Sequence, residues 1–244
     1  MNHYSIKEFS PENFPAPLPE KLKPKKIFVQ YADESRLEIL SKLPERGLAV
    51  VGPRNPSLRA ESLIKSELIK LTKQDLIIVS GFARGVDAIA HEMSLEIGLP
   101  TIAILGCGLQ VNYPTQNAEL KKRILENGGL IISEFDLNSP ANDYHFPMRN
   151  RLIAHWSKAL WVVEAQRKSG TLNTAGWARE YDRMVYATPS FPGEIKNIGA
   201  QDLIDAKHAE PFWGIHSIGQ SWFELATLRS HSAQKSDWDQ PPLF

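Results

Sequence analysis

Two short segments put glycine, arginine and a small polar residue where an apolar run gives way to a helical pattern. They are Gly52-Pro53-Arg54-Asn55-Pro56-Ser57 and Ser80-Gly81-Phe82-Ala83-Arg84-Gly85-Val86-Asp87. Glycine lets the main chain turn close to a ligand, serine caps the helix that follows, and the first N–H groups of that helix point outward at an anion. A guanidinium adds a permanent positive charge. The chemistry these residues suit is the holding of phosphate. A plain strand-to-helix turn with a solvated arginine remains open for the first loop. For the second, the plain reading is tight helix–strand packing with Asp87 steadying the helix start. Two adjoining loops of the same kind favour the anion reading there.

Two further segments have related features. Phe146-Pro147-Met148-Arg149-Asn150-Arg151 opens a helix with two arginines near its start. Cations there oppose the helix dipole, a local cost that makes sense if an anion joins them. The alternative is an arginine pair holding carboxylates such as Asp143 and Glu164. Ser169-Gly170-Thr171-Leu172-Asn173-Thr174 brings hydroxyls and glycine to another strand-to-helix junction, where Thr171 by itself reads better as a helix cap. The candidate phosphate contacts are therefore Gly52, Arg54, Ser57, Gly81, Arg84, Gly85, Arg149, Asn150, Arg151, Ser169, Gly170 and Thr171. Phe82 and Phe146 lie beside them and suit base stacking or the core equally well.

Gly106-Cys107-Gly108-Leu109-Gln110-Val111 imitates the start of a dinucleotide fingerprint, but valine stands where the third glycine belongs. Glu134 ends the next strand, as a ribose-binding acid would. The incomplete match calls for no cofactor. His91 sits in a helical pattern beside Ala88 and Leu95, where a buried, hydrogen-bonded histidine fits better than a base or ligand. No catalytic residue and no metal site emerges.

Parallel strands must carry these loops. Apolar runs at Leu48 to Val51, Leu76 to Val79, Thr101 to Leu105, Leu130 to Ile132, Ala159 to Val163 and Met184 to Ala187 predict six strands buried on both faces. Between them, amphipathic patterns such as Ala60, Ile64, Leu68 and Leu71 predict helices. The alternation gives an α/β class: a Rossmann-like, doubly wound, mainly parallel sheet flanked by helices. In that architecture ligands gather at the carboxyl ends of the strands, at a switch point in strand order.

Residues 1–26 carry five prolines and predict an irregular leader. A β-like run from Ile27 to Tyr31 and a helical stretch from Asp33 to Leu43 open the regular part. The core spans residues 27–210, and 211–244 form a short tail, too short for a winged-helix domain, whose Trp213, Trp222 and Trp238 have no clear setting.

With 42% hydrophobic and 23% charged residues over 244 positions, one sizeable core is expected. A single cysteine, Cys107, excludes an internal disulfide and any multi-thiolate site. The absence of a leader peptide or long apolar run predicts a cytoplasmic protein with no membrane association. The 28 basic residues balance 28 acidic ones, so nucleic-acid binding would need a local patch.

The segments VGPRNPS, SGFARGVDAIAH, TIAILGCGLQVNYP, IISEF, FPMRNRLIA, VVEAQRKSGTLNTAGWA and TPSFPGEIKNIGAQDLI occur in this order between about Leu48 and Ala206. The sequence thereby resembles the core of the DprA/Smf DNA-processing family. That resemblance implies a mediator and no catalyst, which binds single-stranded DNA, protects incoming DNA, forms a homodimer, and loads a RecA-type recombinase during natural transformation in competence. It also implies DNA phosphates over the strand carboxyl ends, at Arg54, the Gly81 to Gly85 loop and the Arg149 to Arg151 segment. Relatives tend to carry lysine just before the strand that starts at Thr101. Pro100 stands there in this chain, and one phosphate contact of the pattern is missing. The alternative is a nucleotide-sensing Rossmann-like domain binding a small phosphorylated ligand. A phosphoribohydrolase is disfavoured because Thr174 replaces the glutamate of its motif.

Overall fold

The apolar runs form the centre of one nine-stranded sheet in the computed structural model of the protein, which describes residues 4–21, 23–72 and 74–218. The strands are β1 (Ser5–Phe9), β2 (Ile27–Tyr31), β3 (Gly47–Val51), β4 (Ile77–Ser80), β5 (Thr101–Ile104), β6 (Leu130–Ser133), β7 (Ala159–Val162), β8 (Met184–Ala187) and β9 (Glu210–Pro211). The helices are α1 (Leu43–Arg46), α2 (Leu58–Leu68), α3 (Val86–Glu96), α4 (Ala118–Glu126), α5 (His145–His155), α6 (Gly170–Glu180) and α7 (Ile198–Asp205).

Strand order is β1-β2-β6-β5-β4-β3-β7-β8-β9. β3 through β6 step toward one edge, and β7 to β9 step toward the other from β3, all in parallel. The switch point therefore lies between β3 and β7. Successive residues of β3 serve opposite faces: Leu48 and Val50 pack under α2 and α3, while Ala49 and Val51 join the core beneath α5 and α6. Both faces are covered, which is why the strand sequences are unbroken apolar runs.

The leader is not irregular throughout. Ser5–Phe9 precedes the first proline of the leader and pairs antiparallel with β2, which in turn pairs antiparallel with β6. Prolines exclude helix from the connection but leave this strand its N–H groups. Phe9, Phe14 and Ala16 are buried in the core, the Phe14 ring stacks on Trp156 at 5.2 Å, and the Trp156 indole N–H donates to the Pro17 carbonyl at 2.8 Å. The stretch after Tyr31 is mostly 3₁₀-helix, Glu34–Lys42, with Asp33 accepting from the Ser35 N–H. Beyond β9 the chain stays on the sheet, with Phe212 stacked on Trp161 at 4.1 Å and the Ile215 N–H donating to Glu67 at 2.9 Å. Trp213 is exposed. The winged-helix expectation, with Trp222 and Trp238, falls largely on residues 219–244, outside the described residues.

Candidate nucleic-acid interface

Loops at the carboxyl ends of β3, β4 and β5 surround a shallow, solvent-open hollow lined by Arg54, Phe82, Arg84, Gly106, Tyr113 and Phe146 among others. Arg54 and Arg84 are exposed, and neither forms an ion pair with a carboxylate among the described residues. The Arg54 guanidinium lies 5.2 Å from the centre of the Phe146 ring, a cation–π contact worth ~0.5–1 kcal/mol at an exposed site. The Tyr113 ring sits 5.7 Å from Phe146 and is more than a third exposed. Two unneutralised cations and two aromatic faces thus share one rim.

Local sequence explains how the loops come together. Gly85 has φ of 75°, and a Cβ there would come within 2.5 Å of the Pro53 carbonyl oxygen. The Val86 N–H donates to that carbonyl at 3.2 Å. Gly85 therefore lets the β3 and β4 loops touch, and its role is packing. At Gly52 a Cβ would likewise come within 2.5 Å of a Val86 methyl group, so this glycine too serves the contact between the loops. At Gly106 a Cβ would come within 2.6 Å of the Phe146 ring, so its absence lets that ring lie over the β5 loop. Phe82 adopts φ of 61°, which is rare for a bulky residue and costs of order 1–3 kcal/mol. The strained turn is held by Asn117, which donates to the Phe82 carbonyl at 2.9 Å, and by Asp87, which accepts from the Ala83 N–H at 3.2 Å. Phe82 itself is buried and serves as the floor.

Arg149 lies under these loops. It is 4% exposed, and its guanidinium donates to the carbonyls of Gly81 and Ile104. Burial lowers its pKa to about 10, with the Asp87 carboxylate acting in the other direction. Burial likewise pushes the Asp87 carboxyl up, against the pull of Arg149. Arg149 remains charged at neutral pH, and it ties the β4 and β5 ends together from below. Gly81 leaves room for this guanidinium.

Other predicted contacts do not reach the hollow. Arg151 is fully buried and forms a two-pronged ion pair with Glu134 at 2.5 and 2.6 Å. Its partner is thus neither of the two carboxylates predicted, and the pair also removes Glu134 as a ribose ligand. Asn150 is buried and donates to the Gly170 carbonyl at 3.3 Å, tying α5 to α6. Ser57 caps α2 by accepting from the Ala60 N–H at 3.2 Å, while its own N–H and hydroxyl donate to Glu164. The carboxylate of Glu164, buried at the switch point, thus fills the anion seat at the α2 N-terminus. Ser169, Gly170 and Thr171 lie at the start of α6 and do not line the hollow. Thr171 is buried in the helix, and Ser169 stands at the cap position without a capping bond. Pro100 lies at the amino end of β5, four residues and ~13 Å of strand from the hollow. A side chain at that position faces the opposite rim, so its identity takes no contact away from this site.

His91 is fully buried, its Nδ1 2.7 Å from the Thr101 hydroxyl. Burial, and then the charge of Arg149, depress its pKa to about 3. An unfolded histidine titrates near ~6.5. Between those values the unfolded chain binds a proton that the folded one refuses, so stability is complete above the upper value and falls as pH drops through the window. His91→Gln, which keeps a hydrogen-bonding group toward Thr101, is expected to flatten that decline by up to ~1.4 kcal/mol per pH unit. Urea midpoints at neutral and mildly acidic pH measure it, and equal slopes for the two proteins would show that His91 is not the group responsible.

Tyr113 is a member of the rim that the sequence does not single out. Its signal is an aromatic residue ahead of proline in a loop that follows a strand.

Among the described residues, no helix is long and apolar enough to cross a membrane. The sequence-family model described as DNA recombination-mediator protein A matches residues 12–222. The Smf protein of Escherichia coli is 42% identical over 154 residues, which are 63% of this chain and 40% of that one. The X-ray structure of DNA processing protein A from Streptococcus pneumoniae superposes with a TM-score of 0.74 at 31% identity, covering 86% of this chain and 71% of that one. A Helicobacter pylori protein, DNA processing protein A, described for its unique single-stranded DNA binding mode, gives a TM-score of 0.75 at 28% identity, covering 91% of this chain and 96% of that one. This chain spans about half or less of the length of the first curated relatives it matches.

Proposed function

Because the chain belongs to the DNA recombination-mediator protein A family, we propose that it binds the sugar-phosphate backbone of single-stranded DNA across the hollow rimmed by Arg54 and Arg84. In this reading it acts as a mediator without catalysis: it protects incoming DNA and hands it, as a homodimer, to a RecA-type recombinase during natural transformation. One observation carries the DNA part: two exposed guanidiniums, without carboxylate partners among the described residues, share a rim with Tyr113 and Phe146. Phosphates need the cations, and successive bases of any sequence stack on aromatic faces. The overall charge balance of the chain is no obstacle, since the attraction is local.

Fluorescence anisotropy with an unstructured oligonucleotide tests the reading. The logarithm of affinity should fall linearly with the logarithm of salt concentration, by about 0.7 for each phosphate neutralised. A sensor of small phosphorylated ligands would instead ignore the oligonucleotide at low salt and gain thermal stability from a mononucleotide. Glu164 argues against that second reading, because its carboxylate already takes the Ser57 N–H and hydroxyl at the switch point.

A further inference from the structure

A second depression, open to solvent and spanning about 530 Å³, lies on the other side of the loop that follows β5. Tyr113 and Pro114 of that loop face the arginine-rimmed hollow. Gln110, Val111 and Asn112 face the second depression, together with Gln30, Lys121 and Lys122. The two hollows are therefore separated by the thickness of one loop.

Among the described residues, the side-chain oxygen of Gln30 is buried there without a hydrogen-bond partner. Gln30 is fixed in place by β2, where it stands opposite Ile131. A buried acceptor left bare is costly, and a turn of the Gln30 side chain toward the groove would let it meet a donor arriving from outside. Lys121 donates to the Leu109 carbonyl at 2.5 Å, and burial pushes its pKa down. An ammonium has three donors, so that bond does not exhaust it. The nearest carboxylate to Lys122 is 3.9 Å away, on Glu126. The groove thus offers a buried acceptor, ammonium donors and two exposed carboxamides, with Val111 and Leu125 as apolar wall.

This pattern of donors and acceptors matches a base edge better than a phosphate. A phosphate diester has no proton to give Gln30, and the carboxamide oxygen would repel it. We propose that this groove holds a nucleobase of the same strand whose backbone crosses the Arg54–Arg84 hollow, with an exocyclic amino group donating to Gln30. The proposal rests on the single-strand reading above. Adenine, cytosine and guanine carry such an amino group; thymine does not. The groove would then be a base-selective subsite beside a backbone site that accepts any sequence.

The test compares unstructured oligo-dC and oligo-dT of equal length near neutral pH, by anisotropy, on the whole chain. Wild type should prefer oligo-dC by about fivefold or more. Gln30→Leu, close in size, should erase the preference and leave oligo-dT affinity unchanged; Gln30→Met serves if the leucine variant fails to fold. Equal wild-type affinities for the two oligonucleotides, or a preference that survives loss of the Gln30 carboxamide, overturn the subsite. Arg54→Ala should weaken both oligonucleotides alike. If neither oligonucleotide binds wild type, or Arg54→Ala changes nothing, the backbone reading fails and the subsite falls with it.

Discussion

Replacing Arg54 by alanine should weaken single-stranded DNA binding about tenfold or more, and lower the salt dependence by about 0.7 in the log–log slope. The guanidinium stands exposed at the rim, poised over Phe146 and, among the described residues, without a carboxylate to neutralise it. Removing it deletes one counterion-releasing contact and one hydrogen-bonding fork. Because the side chain is exposed, its loss should leave the urea midpoint nearly unmoved, which separates binding from folding. Ser57→Ala is the control: its hydroxyl serves α2 and Glu164, so stability should drop by ~1 kcal/mol while affinity stays the same. Equal affinities for wild type and Arg54→Ala, with the slope unchanged, would remove the proposed seat of the backbone.

Replacing Arg151 by methionine should produce the largest loss of stability, ~3–5 kcal/mol. That is a large part of the ~5–15 kcal/mol that holds a domain folded. The cause is Glu134: with its partner gone, a carboxyl group that is 6% exposed is left without its ion-pair partner. The double variant Arg151→Met with Glu134→Leu should recover much of the loss, because both charges leave together and apolar replacements of similar size often match a buried pair. Urea denaturation of the three proteins measures the coupling. A direct phosphate contact would give the reverse pattern, with intact stability and reduced DNA affinity. Additive losses in the double variant would show that the ion pair is not what stabilises this part of α5.

The contrast between Arg54 and Arg151 shows where the sequence is informative. The central strands are legible because burial on both faces writes unbroken apolar runs, and the loops after β3 and β4 stand out because glycine and arginine cluster at their strand ends, although Gly52 and Gly85 serve the packing between the loops. What a helical side chain points at is set by tertiary packing. Arg149 and Arg151 read as a cationic pair at a helix start, yet one braces two carbonyls and the other meets Glu134 beneath the surface. Glu164, one of the carboxylates expected to meet those arginines, is instead bound to Ser57, a pairing of residues 107 positions apart that no local pattern marks. β1 leaves little trace in the sequence because five residues of mixed polarity carry little periodic signal, and β9 leaves less because it is two residues long. Tyr113 is hidden by its loop, whose glycines draw attention to a dinucleotide fingerprint and away from the aromatic residue that follows them.

The short last strand also limits how copies of this protein can meet. Pro211 has no N–H to offer, and a rung of two residues gives an incoming chain almost no ladder to extend. That border of the sheet is thus protected against edge-to-edge growth into a continuous β-structure. Self-association at that border is then expected to rest on side chains of helices and turns, a mode that single substitutions can disrupt.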